Sequence, residues 1–404
     1  MAALWISLVR RSPWWLPASL LALAVAVLGL LAGWQLSVSL AAIWALILVV
    51  GLSRSASDGE LRLYRLPVGR VLLWLAPALV LGWEVLTVTL RQGTWDLLLF
   101  TGVLAFVIAL EMADRVPARF AAAFGRVKAR GVLDMPAEAR ERFDRRLEQR
   151  AQKWTAAGGP VVAIIVFAVW IAVLGPRWPA RFALSNPLML FECLCGWVAG
   201  EKIGRMIAYG ASWRPRQFDG ATWQLFPGHP DGAGGFRPIG DFFFYQSVIA
   251  GIPAIYLAAW WWFFPLIPEY SFWRGPYMWL LFIAIGIEAM TFILPMLSVH
   301  MLMGEQKTRL LEQADELSGE IELFQERLRK PESSAERQQI KDSIADMTEE
   351  YQRIEQAPTW PIDSRIRRRF SLSNAALFLP FVGYAIGGTA FWQQLSDAFR
   401  NLGN

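Results

Sequence analysis

The sequence predicts an all-α, polytopic helical membrane protein with about nine transmembrane helices and a cytosolic antiparallel coiled-coil hairpin. Hydrophobic residues make up 55% of the 404 residues and charged residues only 18%, which is not the composition of a soluble domain. The apolar residues also cluster into runs that match the roughly 20 helical residues needed to cross a bilayer. These runs lack the alternation of a membrane β-barrel, and an open sheet would leave its edge unsatisfied in lipid.

The candidate spans lie near residues 13–33, 36–52, 71–90, 95–112, 159–175, 186–207, 241–266, 277–302 and 371–392. The first is predicted to be retained rather than cleaved as a signal peptide, because no small-residue cleavage site follows it and the next span begins almost at once. For the last span, a short re-entrant helix is the alternative.

The lysines and arginines orient these spans, because cytoplasmic loops carry an excess of positive charge. With the N-terminus inside, all but five of the 39 lysines and arginines fall on the cytoplasmic side. The five that fall outside are Arg91, Arg177, Arg181, Arg274 and Arg400. The sequence therefore predicts a cytoplasmic N-terminus and a C-terminus on the opposite side of the membrane.

The predicted organisation follows from the spans and the polar segments between them. It comprises transmembrane helices 1–4 (residues 1–113), basic cytosolic amphipathic helices (114–157), transmembrane helices 5–8 with a cytosolic loop at 208–240 (158–302), a coiled-coil hairpin (303–357), and a basic juxtamembrane turn with the last span (358–404).

The segment 114–157 contains a predicted basic amphipathic helix, with Phe143, Leu147, Ala151 and Trp154 on one face. Together with the arginines before the last span, it supplies a predicted basic surface of Arg142, Arg145, Arg146, Arg150, Arg367, Arg368 and Arg369. Anionic lipid and the phosphates of a nucleotide or nucleic acid are the candidate partners. No aromatic side chains alternate with the arginines to stack bases, which favours lipid or packing between subunits.

The hairpin is predicted from two heptad-like runs. One run contains Leu310, Ala314, Leu317, Ile321, Phe324 and Leu328, and the other contains Ile340, Ile344, Met347, Tyr351 and Ile354. Pro331 separates them, and Ser333 with Glu336 forms a predicted capping box for the second helix. No loop signal separates the eighth span from the first arm, so the two are predicted to form one helix containing Pro295. Such a hairpin indicates a protein partner, most economically a second copy of the chain.

Three acids lie deep in predicted spans, where ionisable residues are costly and often functional: Glu84, Glu192 and Glu288. They are candidates for lining an ion or proton path. The alternative is that each is hydrogen-bonded to a neighbouring span and holds the helices together. Pro253 and Pro295 are candidate gating hinges in the seventh and eighth spans, although prolines also occur in static membrane helices.

The stretch "GHPDGAGGFRPIGDFFFYQ" (residues 228–246) precedes the seventh span. Its glycines, including Gly234 and Gly235, permit turns whose backbone N–H groups can hold an anion. His229, Asp231 and Arg237 complete this candidate ligand or anion-binding loop. The alternative is that the stretch is turn and cap alone, with Asp241 predicted as the N-cap of the following helix.

Signals for an enzyme are absent from the sequence. It contains only two histidines, no HExxH pair, no GxxxxGK[ST] loop and no GxSxG elbow. We therefore predict no catalytic residues, no metal site and no cofactor.

The stretch "HPDGAGGFRPIGDF", followed by two spans, a coiled coil and "TWPID", resembles uncharacterised bacterial multi-pass membrane proteins in which an HPDxxGG loop and a WP[FI]D turn recur. The resemblance covers roughly residues 225–370 and implies a bacterial inner membrane with a periplasmic C-terminus. The architecture is also similar to that of membrane channel effectors of antiphage defence, of the Hailong type. That similarity implies an oligomeric channel held shut by a cytosolic ligand.

Three hypotheses follow. The first is an oligomeric effector of the bacterial inner membrane that conducts ions or disrupts the membrane, and that is gated through its cytosolic coiled coil and loop. The second is a carboxylate-coupled secondary transporter, and the third is a membrane scaffold without transport. Besides the lipid bilayer, the expected partners are copies of the chain, a cytosolic nucleotide or nucleic acid, or a protein bound to the coiled coil.

Overall fold

The computed structural model describes residues 62–63, 66–85, 96–174, 178–264, 267, 270, 273–329, 333–363, 365–372 and 374–378. The two predicted spans near 13–33 and 36–52 lie outside these residues, as does most of the last one. The described chain is mostly helical. Its helices are α1 (Val68–Glu84), α2 (Leu97–Asp114), α3 (Val116–Ala129), α4 (Ala137–Leu174), α5 (Trp178–Ala211), α6 (Arg237–Phe263), α7 (Arg274–Leu328) and α8 (Ser334–Glu355).

Shorter elements complete the described chain. Strand β1 (Arg62–Leu63) pairs antiparallel with β2 (Leu66–Pro67), and β3 (Leu133–Asp134) pairs antiparallel with β4 (Thr222–Trp223). In the second pair, Leu133 lies opposite Trp223. A 3₁₀ turn covers Pro215–Gln217, and residues 365–372 and 374–378 are helical.

Four helical stretches of the described chain are long and apolar enough to cross a membrane: Leu97–Ala129, Ala137–Ile171, Arg237–Phe263 and Tyr277–Leu328. Half of the most apolar window of α6 is buried, against 6% of the corresponding window of α4. Large apolar side chains of α4 and α7 are exposed, among them Ile164, Ile165, Trp279, Ile283 and Leu294. Exposed apolar faces of this length suit contact with lipid, whereas α6 is the most enclosed of the four.

The chain divides into two compact units, one of residues 1–114 with 148–208 and the other of residues 115–147 with 209–404. In the first unit, glycines let α4 and α5 approach until their backbones touch. A Cβ atom added at Gly200 would lie 2.2 Å from the carbonyl oxygen of Gly158, and one at Gly204 would lie 2.0 Å from that of Trp154. Gly196, Gly200 and Gly204 are spaced four residues apart, the small-residue pattern of closely packed membrane helices. This spacing is visible in the sequence but was not part of the prediction.

Polar contacts also join the helices of the first unit. The indole N–H of Trp170 on α4 donates to Glu192 Oε2 on α5 (2.5 Å), and Lys202 pairs with Asp114. Ala76, Leu110, Leu194 and Val198 form a buried cluster that unites α1, α2 and α5. The bond from Trp170 is what the structural alternative predicts for Glu192.

Aromatic side chains form the core of the second unit beside α3. Phe120 lies 5.6 Å from Phe242 and 5.1 Å from Trp213, and Phe143 stacks on Phe218 at 4.8 Å between ring centroids. Phe143 reaches this core from the first turns of α4. Helix α4 continues past residue 157, where the sequence predicted the end of the amphipathic helix and the start of a separate span. Trp154, predicted on the apolar face of the amphipathic helix, is 44% exposed.

Helix α7 runs without interruption for 55 residues, as the missing loop signal predicted, and it includes Pro295. Helix α8 returns alongside it. The Ser333 hydroxyl accepts the backbone N–H of Glu336 (3.1 Å), which confirms the predicted cap. The prediction that Asp241 caps α6 is wrong, because α6 begins at Arg237 and Asp241 lies within its second turn. Pro238 lies in the first turn of α6, where a backbone N–H has no acceptor within the helix. Proline is therefore favourable there, and the helix begins before Asp241.

We expect Gly200→Ala to lower the thermal unfolding midpoint of the detergent-solubilised protein, by the equivalent of about 1–3 kcal/mol. The added methyl group would meet backbone rather than a movable side chain, so α4 and α5 must separate. Gly286→Ala is the matched control, since a Cβ atom at Gly286 meets nothing within 4 Å. Equal midpoints for the two variants would contradict the close approach of α4 and α5.

Candidate functional site

The loop before α6 has the glycine geometry that the sequence predicted. Gly234 and Gly235 have φ angles of +59° and +90°, in the region that L side chains rarely adopt. Added Cβ atoms would lie 2.2 Å from Leu225 Cδ1 and 2.4 Å from Val132 Cγ2, respectively. Both conformation and space therefore require glycine at these positions.

The Asp231 side chain fills the concave face of this loop. Its Oδ1 accepts the backbone N–H groups of Ala233 (2.9 Å) and Gly235 (3.0 Å), and its Oδ2 accepts that of Arg237 (3.4 Å). These N–H groups are the ones predicted to hold an external anion. In the structure the anion that they hold is a carboxylate of the same loop, placed at the N-terminus of α6, where negative charge is favoured.

Arg130, at the C-terminal end of α3, binds the same carboxylate. Its Nη1 donates to Asp231 Oδ2 (2.6 Å) and to the carbonyl oxygen of Gly235 (3.1 Å). No sequence signal singled out Arg130, because its partners lie about a hundred residues away. The contact attaches α3 to the loop and compensates a carboxylate whose side chain is only 5% exposed.

The pKa of Asp231 is lowered from its ordinary value. Burial acts in the opposite direction and raises it, but the hydrogen bonds from Gly235 and Ala233 and the nearby imidazole of His229 outweigh burial. The backbone N–H of Asp231 donates to His229 Nδ1 (3.2 Å), which also lies 2.9 Å from Asp231 Oδ1.

Arg237 connects the loop to the second motif of the sequence, "TWPID". Its Nη1 lies 3.3 Å from Asp363 Oδ2, and its Nε lies 4.0 Å from Asp241. Asp363 Oδ1 accepts the backbone N–H of Ile366 (2.8 Å) and so caps the helical residues 365–372. Gly240 allows the contact, since a Cβ atom there would lie 2.0 Å from the carbonyl oxygen of Pro361.

The turn at 358–363 is also bound to α7, where the first arm of the hairpin begins. The His300 ring stacks on Trp360 with 4.2 Å between centroids, and its Nδ1 lies 2.7 Å from the carbonyl oxygen of Thr359. Lys307 donates to the carbonyl oxygens of Glu355 (2.6 Å) and Ala357 (3.1 Å). The turn therefore links the loop, α6 and α7.

We call Arg130, Asp231, Arg237 and Asp363 the latch. Its four side chains form two ion pairs that unite the end of α3, the loop, the start of α6 and the turn after α8. The structure thus brings together two of the predicted loop residues, Asp231 and Arg237, with two that were not predicted, Arg130 and Asp363. Asp363 was visible in the "TWPID" motif, but nothing in the sequence indicated its partner.

Glu288 is the most enclosed of the three predicted intramembrane acids, at 4% exposure. It packs against Gly251 of α6, where an added Cβ atom would lie 2.9 Å from Glu288 Oε2. Within the described residues, Glu288 Oε2 and the buried Ser247 hydroxyl form no hydrogen bond that meets ordinary geometric limits. Pro253 lies one turn or less from Gly251, and α6 continues through it.

The predicted basic residues are spread along α4 and the last described helix. Arg146 Nη1 lies 2.6 Å from Asp219 Oδ2, and Arg145 lies 3.7 Å from Glu141. Arg142 is exposed, Arg150 is half-buried, and Arg367, Arg368 and Arg369 are all exposed. In the part of the chain that the structure describes, no three His, Cys, Asp or Glu side chains are placed to hold a metal ion.

Comparisons with protein-family models, with curated proteins and with solved structures found no match to this chain. The class of protein that its geometry defines is a helical protein with membrane-compatible helices and an ion-paired loop at the start of the most enclosed one. The latch and Glu288 are therefore the two features from which a function can be proposed.

We expect Asp231→Asn to lower the free energy of unfolding by about 2–4 kcal/mol, because an amide would face Arg130 and the loop N–H groups with half its acceptors lost. Asp219→Asn is a matched control: its pair with Arg146 has the same 2.6 Å distance, but Asp219 is 63% exposed. The control should change stability by less than about 1 kcal/mol. Thermal unfolding in detergent, followed by tryptophan fluorescence, would measure both, and equal losses would contradict a special role for Asp231.

The difference between wild type and Asp231→Asn should also depend on pH. Because the folded-state pKa of Asp231 is lowered, its contribution is fully present above the unfolded value of about 3.9 and is lost as pH falls through the folded pKa. The difference between the unfolding midpoints should therefore be constant from about pH 7 down to about pH 4 and should shrink progressively below it. A difference that stays constant below this pH would show that the carboxylate charge contributes nothing.

Proposed function

We propose that this protein is an oligomeric channel or membrane-disrupting effector of the bacterial inner membrane. In this proposal the chain crosses the membrane nine times, with a cytoplasmic N-terminus and a periplasmic C-terminus, and α7 and α8 form a cytosolic antiparallel coiled coil. Four helices of sufficient length and apolarity, with exposed apolar faces, support membrane embedding. The resemblance to membrane effectors of antiphage defence is an analogy of architecture.

The continuity of α7 carries the proposal. One helix extends from the apolar region around Glu288 to the tip of the hairpin at Leu328, a distance of about 60 Å at 1.5 Å per residue. A continuous helix can transmit a displacement of its cytosolic arm to its apolar half, with Pro295 as a candidate hinge within it. Glu84, Glu192 and Glu288 are the candidate pore acids, and Pro253 and Pro295 are the candidate hinges.

In this proposal the latch holds α7 in its resting position. It binds the start of α6 to the turn that follows α8, while His300 binds the same turn to α7 and Lys307 binds α7 to the end of α8. These contacts are made in the resting state and broken in the open state. A ligand or partner that binds the open arrangement of the arms more tightly than the resting one therefore shifts the protein toward the open state. The proposed ligands are a cytosolic nucleotide or nucleic acid on the basic surface, or a protein on the coiled coil.

Weakening the latch should therefore favour the open state. We expect Arg237→Gln and Asp363→Asn, which remove the ion pair but keep a capping side chain at 363, to depolarise expressing cells without an added stimulus. A potential-sensitive dye would measure this, with Asp144→Asn, which removes an exposed pair with Arg140, as control. If the membrane potential is unchanged in the latch variants and under every inducing condition, the channel hypothesis is excluded and the scaffold hypothesis is favoured.

A carboxylate-coupled transporter is the second candidate, and the surroundings of Glu288 favour it. A buried carboxyl group that packs against Gly251, with the Ser247 hydroxyl as a polar neighbour, is a candidate group for exchanging a proton within an apolar region. In this candidate Glu288 binds and releases the coupling proton as α6 and α7 move.

For the transporter, we expect Glu288→Gln to abolish proton flux into proteoliposomes under an imposed potential, because an amide cannot release a proton. A pH-sensitive dye inside the vesicles would report the flux. Glu201→Gln is the control, since Glu201 accepts a hydrogen bond from Trp197 of its own helix. Flux that persists in correctly assembled Glu288→Gln would exclude this residue as the coupling group.

A further inference from the structure

A cavity of about 290 Å³ lies between α3 and the first turns of α6. Two arginines of α3 and several residues of α6 line it, of which the important ones are Arg119, Arg126, Asp241, Phe244, Tyr245 and Val248. The cavity belongs wholly to the second unit of the chain. It is separate from the latch, although Asp241 on its rim pairs with Arg237 at 4.0 Å.

The arginines reach the cavity because α3 is amphipathic. Val116, Phe120, Phe124 and Val127 bury one face of the helix in the aromatic core, so the face that carries Arg119 and Arg126 is exposed. These two arginines are seven residues apart and therefore project from the same side, two turns apart. The cavity is thus lined by two positive charges, carried by residues about 10 Å apart along the helix axis.

The contacts of these arginines leave their charges uncompensated. The Arg119 guanidinium lies 5.0 Å from the centroid of the Tyr245 ring, and Arg126 Nε donates only to the carbonyl oxygen of Ala122 (3.4 Å). Within the described residues, neither guanidinium lies in ion-pairing distance of a carboxylate. Asp241 is shared with Arg237, so the cavity keeps a net positive charge and attracts an anion.

The other wall of the cavity is apolar. Phe244 and Val248 lie on the first three turns of α6, a helix long and apolar enough to cross a membrane. Positive charge beside an apolar wall at the end of such a helix suits an amphipathic anion, and basic pockets of this kind between membrane helices bind anionic headgroups. A small hydrophilic anion would use the arginines but gain nothing from the apolar wall.

We propose that this cavity binds an anionic phospholipid, with Arg119 and Arg126 contacting the headgroup phosphate and with Phe244 and Val248 contacting the upper acyl chain. Arg–phosphate contacts are charge-assisted and can be bidentate. The bound lipid joins α3 to α6. The proposal depends on membrane embedding and not on whether the protein conducts ions.

The test uses the full-length protein purified in detergent, with retained and added lipid measured by native mass spectrometry. Phosphatidylglycerol should bind in preference to phosphatidylcholine, and Arg119→Gln combined with Arg126→Gln should weaken phosphatidylglycerol binding by about tenfold or more. Arg329→Gln combined with Arg337→Gln, which changes the net charge equally at the tip of the hairpin, should leave binding unchanged. Arg119→Lys with Arg126→Lys should retain part of the binding, which separates loss of the site from failure to fold.

Two further results would overturn the proposal. Inorganic phosphate at millimolar concentration should displace little phosphatidylglycerol, because it lacks an acyl chain; complete displacement would assign the cavity to free phosphate. Equal binding of phosphatidylcholine, or an equal loss in the hairpin control, would show a nonspecific attraction rather than a built site.

Discussion

The carboxylate of Asp231 is the interaction on which the second unit depends. Four groups converge on it: the backbone N–H groups of Ala233 and Gly235 in the loop, that of Arg237 at the start of α6, and the guanidinium of Arg130. Each of these groups would be costly to bury alone, and so would the carboxylate. Because they satisfy one another, a glycine-rich loop can form a compact, buried turn directly before the most enclosed apolar helix.

From this carboxylate a chain of contacts extends to the hairpin. The same N-terminal turn that binds Asp231 presents Arg237 to Asp363, and Asp363 begins the next helix. Pro361 and Ile362, which precede Asp363, approach so closely that Gly240 has no room for a side chain. The two motifs "HPDGAGG" and "TWPID" therefore act as one structural element, although more than 120 residues separate them in the sequence.

Local features could be predicted from the sequence, and pairings between distant residues could not. The glycine turn, the Ser333 cap and the uninterrupted α7 follow from backbone preference and helical periodicity, which are properties of neighbouring residues. Arg130 and Asp363 acquire their roles from partners remote in sequence, and nothing in their own surroundings indicates them. The start of α6 was misplaced because Asp241 is a good cap residue, whereas Asp231, six residues before Arg237, stabilises the helix end through the loop. The spacing of Gly196, Gly200 and Gly204 is also a local signal, from which the close approach of α4 and α5 could have been predicted.

The contact of Glu288 with Gly251 is a second link between α6 and α7, and it lies in the apolar region, away from the latch. Helix α6 is held at its start by Asp231 and touches α7 at its middle, where glycine leaves space for one carboxyl group. Helix α7 is bound at His300 to the turn at 358–363, and Arg237 binds that turn to α6. The two helices are therefore linked directly at Glu288 and through the turn at His300, two points about 18 Å apart along α7 by the helical rise. A shift of α7 by one turn would break both contacts together, because packed helices exchange discrete arrangements rather than deform continuously.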